Sequence, residues 1–317
     1  MIKNNRYLEA ISTIEYIVKN LGIYDYLSDP LITEINVNPD NKIFIYKNGI
    51  GHINTNKLAI PQTTLNLIQT LASLENKEVN EEFPHISTTL PIGNCRFEGN
   101  VPPSVDNPSC SIRKPSKKIM TLDDYVEQGF CTEECKNIII DCVKKQKNIL
   151  IVGGTNTGKT TFANAVIGEM KDERLIIAEQ VKELQTKNDN NVFFNISPFF
   201  SGKQALVSST RYNPTRIIYG EIRGAEAFDF LNALNSGSKG GLSTIHANDC
   251  YGGLSKLETY ILYEHENPMG QLIARSVEIV MTLKLYKHKR YLDSIAEVKG
   301  YKNGEYILNF IYQHQYE

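Results

Sequence analysis

Apolar residues recur at helical spacing at Leu8, Ile11, Ile14, Ile17, Val18 and Leu21, predicting a helix within residues 6–28 that breaks near Gly22. Two alternating runs, Ile32–Val37 and Ile43–Tyr46, predict strands around the turn Asn38-Pro39-Asp40-Asn41, and Lys47-Asn48-Gly49 predicts a further turn. Helical spacing returns over residues 62–75. Short strands are expected at Ser87–Pro91, Cys95–Val101 and Ser109–Arg113, broken by Pro102-Pro103 and Asn107-Pro108. Residues 1–113 therefore predict a small α/β domain with an antiparallel sheet, and 114–120, with Pro115 and several cations, a linker. In residues 121–317 the pattern changes. Helices are expected at Thr121–Gln128, which Thr121 and Asp124 can cap, and at Thr132–Gln146. Strands then alternate with helices: Ile149–Val152, a helix from Thr160, Leu175–Ala178, Val192–Ile196, a helix from Lys203, Arg216–Tyr219, a helix over Ala225–Asn235, and Leu242–Ile245. That alternation predicts a parallel sheet covered by helices on both faces. Val277–Lys284, Tyr291–Val298 and Tyr306–Ile311 predict a closing meander, with Asn303-Gly304 at one hairpin.

The first of these parallel strands carries the chemistry. Ile149–Val152 runs into Gly153-Gly154-Thr155-Asn156-Thr157-Gly158-Lys159-Thr160-Thr161 and then into a helix, so a G-x-x-x-x-G-K-T loop lies between strand and helix. Glycines let successive backbone N–H groups converge on phosphate oxygens, and the helix N-terminus adds a positive dipole end. Lys159 is expected on the β- and γ-phosphates of a nucleoside triphosphate, and the Thr160 hydroxyl on Mg²⁺. Ile217-Ile218-Tyr219-Gly220-Glu221 is an apolar strand ending in an acid. Many strands end so, but beside a phosphate loop Glu221 is suited to hold the hydration shell of Mg²⁺ or to orient the attacking water. Ile176–Glu183 offers Glu179 and Glu183 just past a strand; either could be merely solvated, and Glu179 is the candidate proton acceptor if its strand emerges next to the loop. His246, in Gly240–Asn248, ends another strand. A single histidine is usually structural; at the loop's edge it could contact the γ-phosphate and report its loss.

Composition narrows the class. The 317 residues leave room for about two domains. A hydrophobic fraction of 41% with 22% charged residues supports a sizeable core, and the net charge of −2 gives no general pull toward nucleic acid. Local cationic clusters, Arg113-Lys114-Lys117-Lys118 and Lys284-Lys287-Lys289-Arg290, read chiefly as solvated faces or turns. No apolar run approaches 18 residues, and Glu9 and Glu15 interrupt any leader-like segment, so a cytoplasmic chain is expected. Six cysteines without a C-x-x-C pair are expected to be reduced and mostly buried; Cys131, Cys135 and Cys142 fall at helical spacing but lack an evident fourth zinc ligand.

Four ordered blocks resemble the type II and type IV secretion traffic ATPases: 153–161 their Walker A loop, the Glu179–Glu183 segment their Asp box, 220–227 (Gly-Glu-Ile-Arg-Gly-Ala-Glu-Ala) their Walker B and 240–248 their His box. Gly224-Ala225-Glu226-Ala227 is more similar to the type IV secretion and conjugation branch. Thr33–Pro39, Arg96-Phe97-Glu98-Gly99 and Ile112-Arg113-Lys114-Pro115 resemble the N-terminal domain of TrbB-like conjugal transfer ATPases. The resemblance implies a RecA-like P-loop NTPase domain behind a PAS-like α/β domain, with ATP between them and Mg²⁺ required. It implies ATP hydrolysis in a homo-hexamer, attached peripherally to inner-membrane secretion machinery and without sequence-specific nucleic-acid contact. It also implies Lys159, Glu179, Glu221 and His246 as catalytic, Thr160 and Glu221 at the metal, and Arg113, Arg211 and Arg223 as charge-neutralising arginines, any of which could instead be a surface or ion-paired residue. The chain departs from the pattern at Gln180, where an Asp is usual, at Asn213, where an Arg is usual, and at Ser238, where a His is usual. Rival expectations are a type II secretion or type IV pilus assembly ATPase, a nucleic-acid translocase and a nucleotide-switched scaffold that does not hydrolyse.

Overall fold

In the computed structural model, residues 2–115, 119–197, 199–286 and 289–315 are described. The chain forms two compact units that divide between positions 117 and 118. Residues 116–118 of the expected linker, and Lys287 of the second cationic cluster, lie outside the described residues.

The N-terminal unit contains α1 (Ile2–Asn20), α2 (Tyr24–Ser28), β1 (Ile32–Val37), β2 (Lys42–Lys47), β3 (Gly51–Leu58), α3 (Pro61–Leu74), β4 (His85–Leu90), β5 (Cys95–Asn100) and β6 (Ser109–Arg113). All six strands pair antiparallel, in the order β3-β2-β1-β6-β5-β4. The first helix ends near Gly22 as expected: Gly22 takes φ +70°, a left-handed conformation that stops α1, and the short α2 follows. Ile14, Val18 and Leu21 pack with Leu67, Ile68 and Leu71 of α3 over Ile35, Ile43, Phe97 and Ile112 of the sheet. Strand β3 was not expected from the pattern. Its sequence Gly-His-Ile-Asn-Thr-Asn-Lys-Leu buries no residue, because it lies at the sheet edge.

The C-terminal unit contains α4 (Leu122–Glu127), α5 (Glu133–Lys144), β7 (Ile149–Gly153), α6 (Lys159–Ile167), β8 (Leu175–Glu179), β9 (Asn191–Asn195), α7 (Gly202–Arg211), β10 (Arg216–Tyr219), α8 (Glu226–Leu234), β11 (Leu242–Ile245), α9 (Cys250–Ile261), α10 (Gly270–Ser276), β12 (Ile279–Tyr286), β13 (Lys289–Lys302) and β14 (Glu305–Gln313). Its sheet runs β14-β13-β12-β7-β11-β10-β8-β9. Strands β12, β7, β11, β10, β8 and β9 pair in parallel, and β13 and β14 add the antiparallel meander. Side chains of β7 alternate between two cores. Ile149 and Ile151 join α4, α5 and α6 on one face, while Leu150 and Val152 join α7, α8, α9 and α10 on the other. This is an α/β unit whose sheet is mixed and largely parallel. The N-terminus of α4 closes with the expected capping box between Thr121 and Asp124, and all six cysteines are buried and outside any disulfide. Among the described residues, no helix is long and apolar enough to cross a membrane.

Candidate active site

Because the central strands are parallel, the residues that follow β7, β11, β10 and β8 emerge at one edge of the sheet, where open α/β sheets bind their ligands. The loop from β7 occupies that edge. Asn156 (φ +62°) and Gly158 (φ +90°) take left-handed conformations that turn the chain into α6. Gly153 admits no side chain, since a Cβ there would lie 2.6 Å from Thr157 Oγ1 and 2.9 Å from the Leu283 carbonyl. Thr157 Oγ1 donates to Gly154 O at 2.9 Å. Thr155 and Asn156 are exposed, and Thr160 and Thr161 are half-buried at the start of α6.

Lys159 is buried, and its Nζ donates to the carbonyls of Gly153 and Gly154, each at 2.9 Å. The same ammonium lies 3.2 Å from His246 Nδ1, one residue past β11, the strand paired directly with β7. On its other side His246 places Nε2 2.9 Å from Glu221 Oε1, out of line for a hydrogen bond and an ion pair only when the ring is protonated. Glu221 follows β10, and its Oε2 accepts from Arg223 Nη2 at 2.5 Å and Nε at 2.9 Å. Thr244 Oγ1 donates 2.8 Å to Gly220 O, and Ile222 N donates 2.9 Å to Thr244 O, which fixes the strand end that carries the acid. Burial, and then the Lys159 charge, hold the His246 pKa below its usual value against the opposing pull of Glu221.

Glu179 ends β8. That strand is not the loop's neighbour: β11 and β10 stand between β8 and β7, so the expectation that Glu179 emerges next to the loop is corrected. Its contact is with the Walker B segment instead; a Cβ at Gly220 would lie 3.0 Å from Glu179 Cβ. Glu179 Oε2 accepts from the amides of Glu183 and Leu184, both at 2.9 Å, while the buried Oε1 meets no donor. Burial, only partly offset by those amides, pushes its pKa up to about 7. The segment is tied to the helix behind the loop, since buried Asn164 of α6 donates to Glu183 O and accepts from Gln185 N.

Residues 65–301 match the family described as Type II/IV secretion system protein. The chain belongs to that family. Among curated relatives, a probable conjugal transfer protein TrbB of Sinorhizobium fredii is 37% identical over 284 residues, covering 88% of this chain and 87% of the relative. A type IV secretion system protein VirB11 of Brucella suis is 27% identical over 303 residues, covering 83% and 82%. Of solved structures, the VirB11 ATPase of the Brucella suis type IV secretion system, in complex with sulphate, aligns with a TM-score of 0.50 at 25% identity over 92% of this chain and 96% of that one. The Legionella pneumophila ATPase DotB shares the fold, with a TM-score of 0.60 at 17% identity over 85% and 77%.

In this Type II/IV secretion system protein, then, the fold brings Lys159, His246, Glu221 and Arg223 into one connected cluster, with Glu179 beside the strand that carries Glu221. The other arginines lie elsewhere. Arg211 is the exposed last residue of α7, and Arg113 the exposed last residue of β6 in the N-terminal unit. Gln180, at the position where the family pattern has an acid, has its Oε1 3.5 Å from Arg223 Nη1. Asn213 takes φ +50° in the turn before β10, a left-handed conformation that asparagine adopts more readily than arginine. The motif pattern gives no sign of Arg216, which is fully buried, or of Arg290, whose Nε donates 2.9 Å to Asn156 O.

Proposed function

We infer that this chain is the ATP-hydrolysing motor subunit of a conjugative or type IV secretion apparatus. The observation that carries the reading is the unbroken chain of contacts from the phosphate-loop lysine through His246 to Glu221, joining three separate strand ends at the edge where a nucleotide binds. The residues fit a nucleoside triphosphate and its magnesium. The left-handed turns at Asn156 and Gly158 leave a backbone concavity at the N-terminus of a helix, and Glu221 keeps a buried oxygen, Oε1, that receives no hydrogen bond. Magnesium in such a site takes one or two protein oxygens, here Thr160 and Glu221, and neutralises charge on the phosphates when bound.

Lys159 leaves the Gly153 and Gly154 carbonyls for the phosphate oxygens, charged acceptors that hold an ammonium more strongly than a carbonyl does. His246, neutral and turned toward both Lys159 and Glu221, is placed to sense that departure. Arg223, whose side chain is half exposed, balances Glu221 in the resting chain and is a cation available for charge developing on the transferred phosphoryl group. Glu179, with its pKa near neutrality, accepts the proton of the attacking water. The subunit works in a homo-hexamer on the cytoplasmic face of the inner membrane, against other components of the apparatus.

A donor strain lacking this chain tests the assignment. Wild-type chain restores conjugative transfer, and Lys159→Ala does not. Transfer that proceeds without the chain, or that Lys159→Ala restores fully, contradicts the reading.

A further inference from the structure

The two flanks of β7 treat the phosphate loop differently. On the β11 flank stand Lys159 Nζ, His246 and Glu221, the groups suited to the terminal phosphate and its metal. On the β12 flank stands Arg290. It is the second residue of β13, paired with Leu285 across the β12–β13 hairpin, and its Nε donates to Asn156 O at 2.9 Å. The arginine stem runs along the loop: a Cβ at Gly158 would meet Arg290 Cδ at 3.6 Å and Nε at 4.0 Å. So the side chain bonds to Asn156 and passes beside Gly158, the two loop residues with left-handed backbone. Among the described residues no carboxylate pairs with Arg290, whereas Lys284 of the same hairpin is engaged by Asp293 at 3.2 Å. Its charge also reaches Tyr125, whose phenol burial pushes up in pKa and Arg290 pulls back.

We propose that Arg290 is a nucleotide-binding residue, one that braces the phosphate loop through Nε and offers its two terminal nitrogens to the phosphates nearer the sugar. The inference rests on the loop binding a nucleoside triphosphate. With the terminal phosphate on the β11 flank, the inner phosphates lie toward β12, so Arg290 meets the part that ADP and ATP share. An arginine suits both tasks at once. One N–H serves the carbonyl while the others present a charged, planar donor pair to an anion; a lysine offers a single point charge. Such a residue adds binding energy equally to substrate and product and leaves the chemical step nearly untouched.

Binding of a fluorescent ADP analogue and of a non-hydrolysable ATP analogue to the full chain, with steady-state kinetics, tests this. Arg290→Ala weakens both ligands about tenfold, Arg290→Lys about threefold, and KM rises while kcat changes less than about twofold. The melting temperature of the nucleotide-free chain shifts by less than about 2 °C, as for an exposed side chain with no buried partner. Unchanged affinity in Arg290→Ala while Lys159→Ala loses binding overturns this proposal alone. A loss confined to the ATP analogue, or one matched by a large fall in melting temperature, also overturns it. Unchanged affinity in Lys159→Ala would refute the phosphate-loop reading beneath it.

Discussion

At position 246 the neighbouring ammonium selects the tautomer. An ammonium can only donate, so His246 Nδ1, 3.2 Å from Lys159 Nζ, accepts, which puts the proton of a neutral ring on Nε2, near Glu221 but out of line for a hydrogen bond. The lowered pKa agrees with a neutral ring. Glu179 is the opposite case, a carboxyl that burial lifts from 4.5 to about 7. The folded chain keeps a proton here that the unfolded chain has released, so this group's share of stability is complete below about pH 4.5 and is lost as the pH rises through 7. Glu179→Gln should therefore melt above wild type at pH 8, by a margin on the order of 2 kcal/mol, with the gap closing toward pH 4.5. If Glu179 accepts the proton in hydrolysis, the same variant loses ATP turnover by about 100-fold or more, and wild-type turnover climbs with pH across 7. Thermal melts and phosphate release at several pH values check both, and a Gln variant as active as wild type removes Glu179 from proton transfer. Lys159, Glu221 and His246 were legible in the sequence because each directly follows a strand or motif whose spacing announces it. Arg290 was not, since only the pairing of β12 with β7 brings its hairpin, more than a hundred residues away, onto the loop.

At the scale of elements, strands with continuous apolar runs were read nearly to the residue; Leu242–Ile245 appears unchanged as β11. Helix α9 was missed for an identifiable reason. It carries Gly252-Gly253 in its first turn, a pair that reads as a turn, yet a Cβ at Gly253 would lie 2.6 Å from Val152 Cγ2. Glycine there lets the helix close onto β7, and Asp249 caps it by accepting from Gly252 N at 2.7 Å. The parallel strands also depend on an ion pair at the edge opposite the site, between a fully buried arginine and a partly exposed glutamate. Arg216, at the start of β10, forks onto Glu173 at 2.5 and 2.6 Å and donates to the carbonyls of Val143 at 2.8 Å and Gly240 at 3.2 Å. It thereby ties α5, the entry to β8, and the entry to β11 together. Arg216→Ala should cost about 2–4 kcal/mol, since it unpairs two backbone carbonyls and a carboxylate that keeps some contact with water, and Arg216→Lys should not recover it, because a lysine cannot reproduce the fork. Denaturant titration measures this; a loss below about 1 kcal/mol would show that the pair contributes little beyond exposed ion pairs.

At the scale of the molecule, an antiparallel N-terminal unit and a largely parallel C-terminal unit were both apparent from the switch between alternating short runs and strand–helix repetition near residue 114. The order of strands was not. Periodicity says which segments are strands but not which lie side by side, and so Glu179 was expected two strands closer to the loop than it lies. The loop around Lys159 is proposed to grip a triphosphate that this chain cleaves, within the proposed homo-hexamer. Phosphate release from ATP, measured against protein concentration for wild type and Lys159→Ala, tests it most directly. Wild-type turnover per subunit should rise with concentration as the ring assembles, and the variant should be about 100-fold or more slower at every concentration. Equal turnover in the two proteins, or none in either, would contradict it.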